Sequence, residues 1–125
     1  MGPIHRATCY LLSNITNTSV DMFIACDVFV YLGDLLTVFE KCFDALKDKG
    51  GIFIFSTEYL HENTLSSKNG FILQKCARFA HTISYLERLA KKVGFCVKLM
   101  KKSTIRQNRG VPVIGNLVIL EKFVE

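Results

Sequence analysis

Two short apolar runs constrain this chain more than anything else in it. Met22-Phe23-Ile24-Ala25-Cys26 and Ile52-Phe53-Ile54-Phe55 are continuous rather than alternating. A strand with one wet face alternates apolar and polar residues, so an unbroken run implies a strand buried on both faces, as in a parallel sheet covered by helices. Between the runs, Leu35, Phe39, Cys42, Phe43 and Leu46 recur at helical spacing and make one apolar stripe. Asp34 is placed to cap that helix by accepting a backbone N–H of its first turn. Lys47 and Lys49 follow near its end, where cations suit the dipole, and Gly50-Gly51 is the expected stop.

The remainder continues the alternation of elements. His61 to Gly70 is polar and reads as a long loop, after which Phe71 to Leu73 is apolar again. Arg78 to Thr82 leads into a second helix with Leu86, Leu89, Ala90 and Val93 as its buried stripe. Ser84 and Glu87 have the spacing of a capping box. Gly94 closes the helix, and Phe95 is the apolar residue that packs back after such a cap. Cys96 to about Arg106 reads as a third strand, Gln107 to Gly115 as a loop, and Asn116 to Phe123 as a fourth strand. This order predicts one α/β domain over 21–125, mostly parallel, with one antiparallel strand returned at the end. Residues 1–20 form a poorly defined N-terminal segment: Ala7 to Leu12 suits a short helix or strand, and Ser13 to Ser19 a polar loop.

Composition narrows the function classes. The 125 residues fit one domain, and a formal charge of +5 permits anionic partners without demanding them. Lys98, Lys101, Lys102, Arg106 and Arg109 are the densest basic group, but no aromatic residues interleave with them to stack on bases, which argues against nucleic acid. The five cysteines form no C-x-x-C pair, so neither a zinc site nor a disulfide framework is expected, and a reducing, cytoplasmic compartment fits best. No apolar run reaches the ~18 residues of a membrane span, and no secretory signal is evident. Asn14 and Asn17 match the glycosylation pattern, which has no use without secretion.

A carboxylate where a buried strand ends and a helix follows is the usual place for a ligand contact in an open α/β sheet. Asp27 stands there, although a lone acid in such a loop also suits an ordinary surface turn. Three stretches together carry a family likeness: Ala25 to Leu35, Lys49 to Glu58, and Gly94-Phe95 with Arg78-Phe79-Ala80-His81 before it and Gly110-Val111-Pro112-Val113 after it. On these residues the chain resembles the C-terminal half of a class I S-adenosylmethionine-dependent methyltransferase, of the type associated with tetratricopeptide repeats. The resemblance implies a partial Rossmann-like sheet, strands 4-5-7-6 of the order 3-2-1-4-5-7-6, with two helices. It implies S-adenosylmethionine as cofactor, with Asp27, Val28 and Phe29 at its methionine end or at the substrate mouth. Asp27, Glu58 and His81 are the candidate proton acceptors, since each falls at or beyond a strand end on the ligand side. Tyr31 would shape the mouth, and Arg78, Arg106 and Arg109 would bind an anionic substrate; packing and solvated-loop roles stand beside each of these.

The departure from the family is the glycine-rich motif E/D-x-G-x-G-x-G, which does not occur here, nor does the acidic residue that holds the ribose. Those glycines allow the tight turn and close approach to the cofactor. The chain therefore reads as half a methyltransferase, a truncated or degenerate form that begins after the third strand and is not expected to bind the cofactor alone. The strand at 22–26 would be left with an open apolar edge, and one sheet face with no helices over it. A missing N-terminal half, a second copy or another polypeptide is the expected partner along that edge. A non-catalytic interaction module and a weak nucleic-acid-binding domain are the other readings.

Overall fold

The computed structural model describes residues 20–63 and 69–125. Except for Val20, the N-terminal segment lies outside them, and so do Asn14, Asn17 and the middle of the expected 61–70 loop. Six strands form one sheet: β1 (Met22–Ala25), β2 (Lys49–Tyr59), β3 (Phe71–Leu73), β4 (Phe79–His81), β5 (Cys96–Asn108) and β6 (Val111–Phe123). Two helices, α1 (Leu36–Ala45) and α2 (Ile83–Val93), and a 3-10 turn at Phe29–Tyr31 complete the fold.

The sheet is built around β2. Parallel β1 lies along its first half, Met22 opposite Ile52 through Ala25 opposite Phe55. Parallel β4 takes up the same edge further along, Glu58 opposite Ala80 and Tyr59 opposite His81. Antiparallel β6 runs the length of the other edge, and β5 pairs antiparallel with β6. The order β1-β2-β6-β5 is the expected 4-5-7-6. The expected single antiparallel strand is joined by a second, β3, which forms a hairpin with β4.

Both helices cover one face. Phe53, Phe55, Val118 and Leu120 point into it, against Phe39 from α1, Leu35 and Leu46 at its two ends, and Leu86 and Ala90 from α2. Phenylalanines dominate this core: Phe39 meets Phe53, Phe55 and Phe95 edge-on at ring distances of 5.7, 5.3 and 6.2 Å. Such pairings add to plain area burial. The opposite face carries Ile52, Ile54, Leu117 and Ile119, only half buried, and Met22 and Ile24 at 48% and 64% exposure. The expectation that β1 is buried on both faces is thus corrected: its residues alternate, with Phe23 and Ala25 toward the core.

Several local expectations are also corrected. The Gln107–Gly115 loop is strand on both sides of a two-residue turn, Arg109 (φ 52°) and Gly110 (φ 79°). Two consecutive positive φ values are what the tightest hairpin turn requires. Pro112 fits because β6 loses β2 as a neighbour beyond Gly115, so its missing N–H faces an unpaired side. Helix α1 ends at Ala45, and the glycine pair instead forms a bulge at the start of β2, with Gly50 at φ 94°. Thr82, not Ser84, caps α2: its hydroxyl accepts the Tyr85 N–H at 3.2 Å. Ser84 binds the Glu62 carboxylate through both its N–H and its hydroxyl. Asp34 does accept a first-turn N–H, that of Leu36, at 3.0 Å.

Candidate functional site

The parallel strands β1, β2 and β4 all point their C-terminal ends to one side of the sheet, where open α/β sheets place ligands. Asp27 follows β1 directly, with its backbone in the left-handed region (φ 58°) that Asp tolerates better than most residues. Its N–H reaches the Ser56 hydroxyl of β2 at 3.4 Å, and its side chain is exposed. Asp27, Ser56, Ser103 and Thr104 border a recess of about 150 Å³. The turn after Asp27 then divides. Phe29 buries its ring against Phe53 and Phe55, Val28 packs against the core, and Tyr31 is 48% exposed.

The second group surrounds Glu58. Alternation along β2 sends Ser56 and Glu58 to the face away from the helices. Glu58 is buried and fully engaged: Arg106 binds Oε2 at 2.9 Å, Arg78 lies 3.9 Å from the same oxygen, and Gln74 donates to Oε1 at 3.0 Å. Two arginines expected to meet an anionic substrate thus meet a carboxylate of their own chain. This cluster ties β5 and the β3–β4 turn to the end of β2. Arg109 stands apart at the hairpin tip, exposed.

His81 belongs to the opposite face and is completely buried. Its Nε2 lies 2.9 Å from the Gly33 carbonyl, which as an acceptor fixes the proton on that nitrogen, and Nδ1 has no partner. Burial holds its pKa down at about 4, so the ring is neutral near pH 7. The imidazole stacks on Tyr85, whose hydroxyl accepts the Leu35 N–H at 2.8 Å and donates to Asp34 at 3.1 Å. His81 and Tyr85 therefore grip three consecutive residues, Gly33 to Leu35, and fix the entry to α1. A Cβ at Gly33 would meet the Phe71 and Phe79 rings at 2.8 Å, so glycine is needed for that grip. Of the three candidate proton acceptors, Asp27 alone presents its side chain to solvent.

Sequence reasoning missed Tyr85, Gln74 and Asn116. Asn116 is buried and donates to the Thr57 hydroxyl at 2.9 Å and the His81 carbonyl at 3.1 Å. A tyrosine in an apolar helical stripe was the one available signal, because a buried phenol needs a hydrogen-bond partner. Among the described residues, no group of metal-ligating side chains comes together, and no helix is long and apolar enough to cross a membrane.

Against this geometry, the solved structures of similar shape are informative. An S-adenosylmethionine-dependent methyltransferase of Methanosarcina mazei superposes with a TM-score of 0.69 at 15% identity, over 90% of this chain and 63% of its own. The fold is a methyltransferase fold. An S-adenosylmethionine-dependent methyltransferase of Mesorhizobium loti matches with a TM-score of 0.61 at 15% identity, covering 89% of this chain and 67% of that one. The phosphoethanolamine N-methyltransferase 2 of Haemonchus contortus, solved with phosphomonomethylethanolamine and S-adenosylhomocysteine, gives 0.67 at 15% identity, over 89% of this chain and 35% of its own. This chain thus spans only part of the length of these enzymes. No protein-family model matches the sequence, and no curated protein matches it.

The recess beside Asp27 does not by itself fit S-adenosylmethionine. A ligand of that size takes a pocket of roughly 300 Å³ or more, whereas the recess beside Asp27 holds about 150 Å³. The sequence also lacks the glycine motif that lets backbone approach a nucleoside.

Proposed function

We propose that this chain is the C-terminal part of an S-adenosylmethionine-dependent methyltransferase, active only when a glycine-motif half docks along β1. The open β1 edge carries the reading. It lies where the strand order 4-5-7-6 stops, beside a sheet face whose isoleucines and leucines lack helical cover among the described residues. Parallel strands such as β1 and β2 are normally covered on both faces. The likeness in shape to methyltransferases, at 15% identity, supports the fold that such a docking would complete.

Within this reading the two halves divide the labour. The partner half would hold the cofactor, with Asp27, Val28 and Phe29 at its methionine end or at the substrate mouth. Asp27 takes the proton from an acceptor that must lose one, and Tyr31 shapes the mouth. Placing the acceptor accounts for much of the rate in a transfer of this kind. Of the three candidate arginines, Arg109 is the one left for an anionic acceptor, since Arg78 and Arg106 are held by Glu58.

Calorimetric titration tests this directly. The chain alone is expected to bind no S-adenosylmethionine at millimolar ligand. The chain purified from its native source together with a glycine-motif polypeptide is expected to bind it. Binding by the chain alone would overturn the division between halves, and no binding by the assembly would overturn the methyltransferase reading.

A further inference from the structure

A second, larger cleft opens on the helical side of the molecule, away from the Asp27 recess. It holds about 580 Å³ between the start of α1, β3 and the exposed flank of α2. Its lining carries both signs of charge. Asp34 stands at one end, tied to Tyr85. Arg88 and Lys92 line the α2 wall on the same helix face, three and seven residues beyond Tyr85. At the helical rise, that places the two cations ~5 and ~10 Å along the axis from the Tyr85 level. Phe71 and Leu89 provide an apolar floor between the poles.

Neither cation makes a close ion pair among the described residues, although Glu62, held by Ser84, lies near enough to Arg88 for the guanidinium to help keep its carboxyl low. Lys47, Lys98, Arg106 and Lys122 each enter an ion pair, whereas Arg88 and Lys92 enter none. Arg88 uses only its Nε, at 3.4 Å from the Ser84 carbonyl, so both terminal nitrogens of the guanidinium are left for a ligand. Asp34, by contrast, would repel a simple anion that filled the whole cleft. A ligand satisfies both ends only if it is positive at one pole and negative at the other.

We propose that this cleft binds a small zwitterion, its ammonium group at Asp34 and its phosphate or carboxylate on Arg88 and Lys92, with an aliphatic linker over Phe71 and Leu89. The proposal does not depend on methyl transfer and needs no partner half. The probe is 4-aminobutyl phosphate, with inorganic phosphate and butylamine as single-pole controls, titrated into the full chain at low salt and followed by amide chemical shifts. The zwitterion is expected to bind about fivefold more tightly than phosphate, the scale of one exposed charge pair. Arg88→Gln with Lys92→Gln should weaken it about tenfold, each exposed pair contributing about threefold. Asp34→Asn keeps an acceptor for Leu36 and Tyr85, so the helix start is preserved. That variant should bring the zwitterion down to the affinity of phosphate while leaving phosphate binding no weaker. Equal binding of zwitterion and phosphate by the parent chain, or an unchanged affinity in the double variant, would overturn the proposal.

Discussion

Lys122 gives the sharpest test of how this fold is held. It sits on β6 with 4% of its surface exposed. Its ammonium donates to the carbonyl of Phe43 at 2.6 Å and to that of Leu46 at 2.9 Å, and pairs with Asp48 at 3.2 Å. Those carbonyls lie at the end of α1, where the last C=O groups have no N–H donors within the helix and a cation suits the dipole. Lys122→Met keeps the aliphatic stem and removes the charge. Each stranded carbonyl then costs ~1–3 kcal/mol, whereas half-exposed Asp48 adds little because solvent screens it. The expected loss is about 3 kcal/mol, or roughly 10 °C in Tm for a domain of this size. Urea unfolding should show the midpoint fall with the slope unchanged. Asp48→Asn, the control, should cost under about 1 kcal/mol. A Lys122→Met variant within about 0.5 kcal/mol of the parent, the range of an ordinary surface change, would refute the argument.

Three further outcomes follow from the structure. Because burial holds the folded-state pKa of His81 at about 4, below the usual 6.5, its contribution is full above pH 6.5 and disappears as the pH falls toward 4. A displacement of that size is worth ~3 kcal/mol, so urea unfolding at pH 7.5, 6 and 5 should show a decline that His81→Phe flattens; equal stability at pH 7.5 and 5 contradicts it. Glu58→Gln should cost about 2–3 kcal/mol, at the low end for breaking a buried pair because both arginines are partly exposed. Adding Arg106→Met should recover part of that loss, as a double-mutant cycle would measure, and strict additivity would mean the two side chains do not interact. Ile24→Lys should shift the sedimentation profile of the isolated chain toward monomer while changing stability by no more than about 0.5 kcal/mol; an unchanged profile would clear this edge of any part in association.

The legible parts of the fold were those where a pattern runs long enough to show its period. Phe39 and Cys42 in α1, Leu46 just past its end, and Leu86, Leu89 and Ala90 in α2 are buried as their spacing requires. The β3–β4 hairpin went unread because three-residue strands have no period to detect. The β5–β6 ribbon went unread for a different reason. Gly110, Pro112 and Gly115 look like loop punctuation, yet only Gly110 lies in the turn. Gly115 is inside the strand, where a Cβ would come within 2.4 Å of the Thr57 carbonyl oxygen. At the candidate site the residue types were legible and their partners were not. Glu58, Arg78 and Arg106 each suit contact with a ligand, and nothing local shows that residues 48 positions apart will neutralise one another.

The two long edges of the sheet bear on the proposed docking because they are built so differently. Strand β5 exposes thirteen residues of edge but carries Lys98, Lys101 and Lys102 along it, all exposed. Charged edge residues of this kind keep other strands away. Strand β1 is four residues long and bears no charge, with Met22 and Ile24 exposed and, among the described residues, no strand paired to its outer edge. The edge that ends the sheet is thus guarded by charge, whereas the β1 edge carries none. A remnant drifting without a partner would gain from charge on both edges equally. The asymmetry is what a sheet shows when one border is its natural end and the other is an internal seam, which is why we place the docking half on β1.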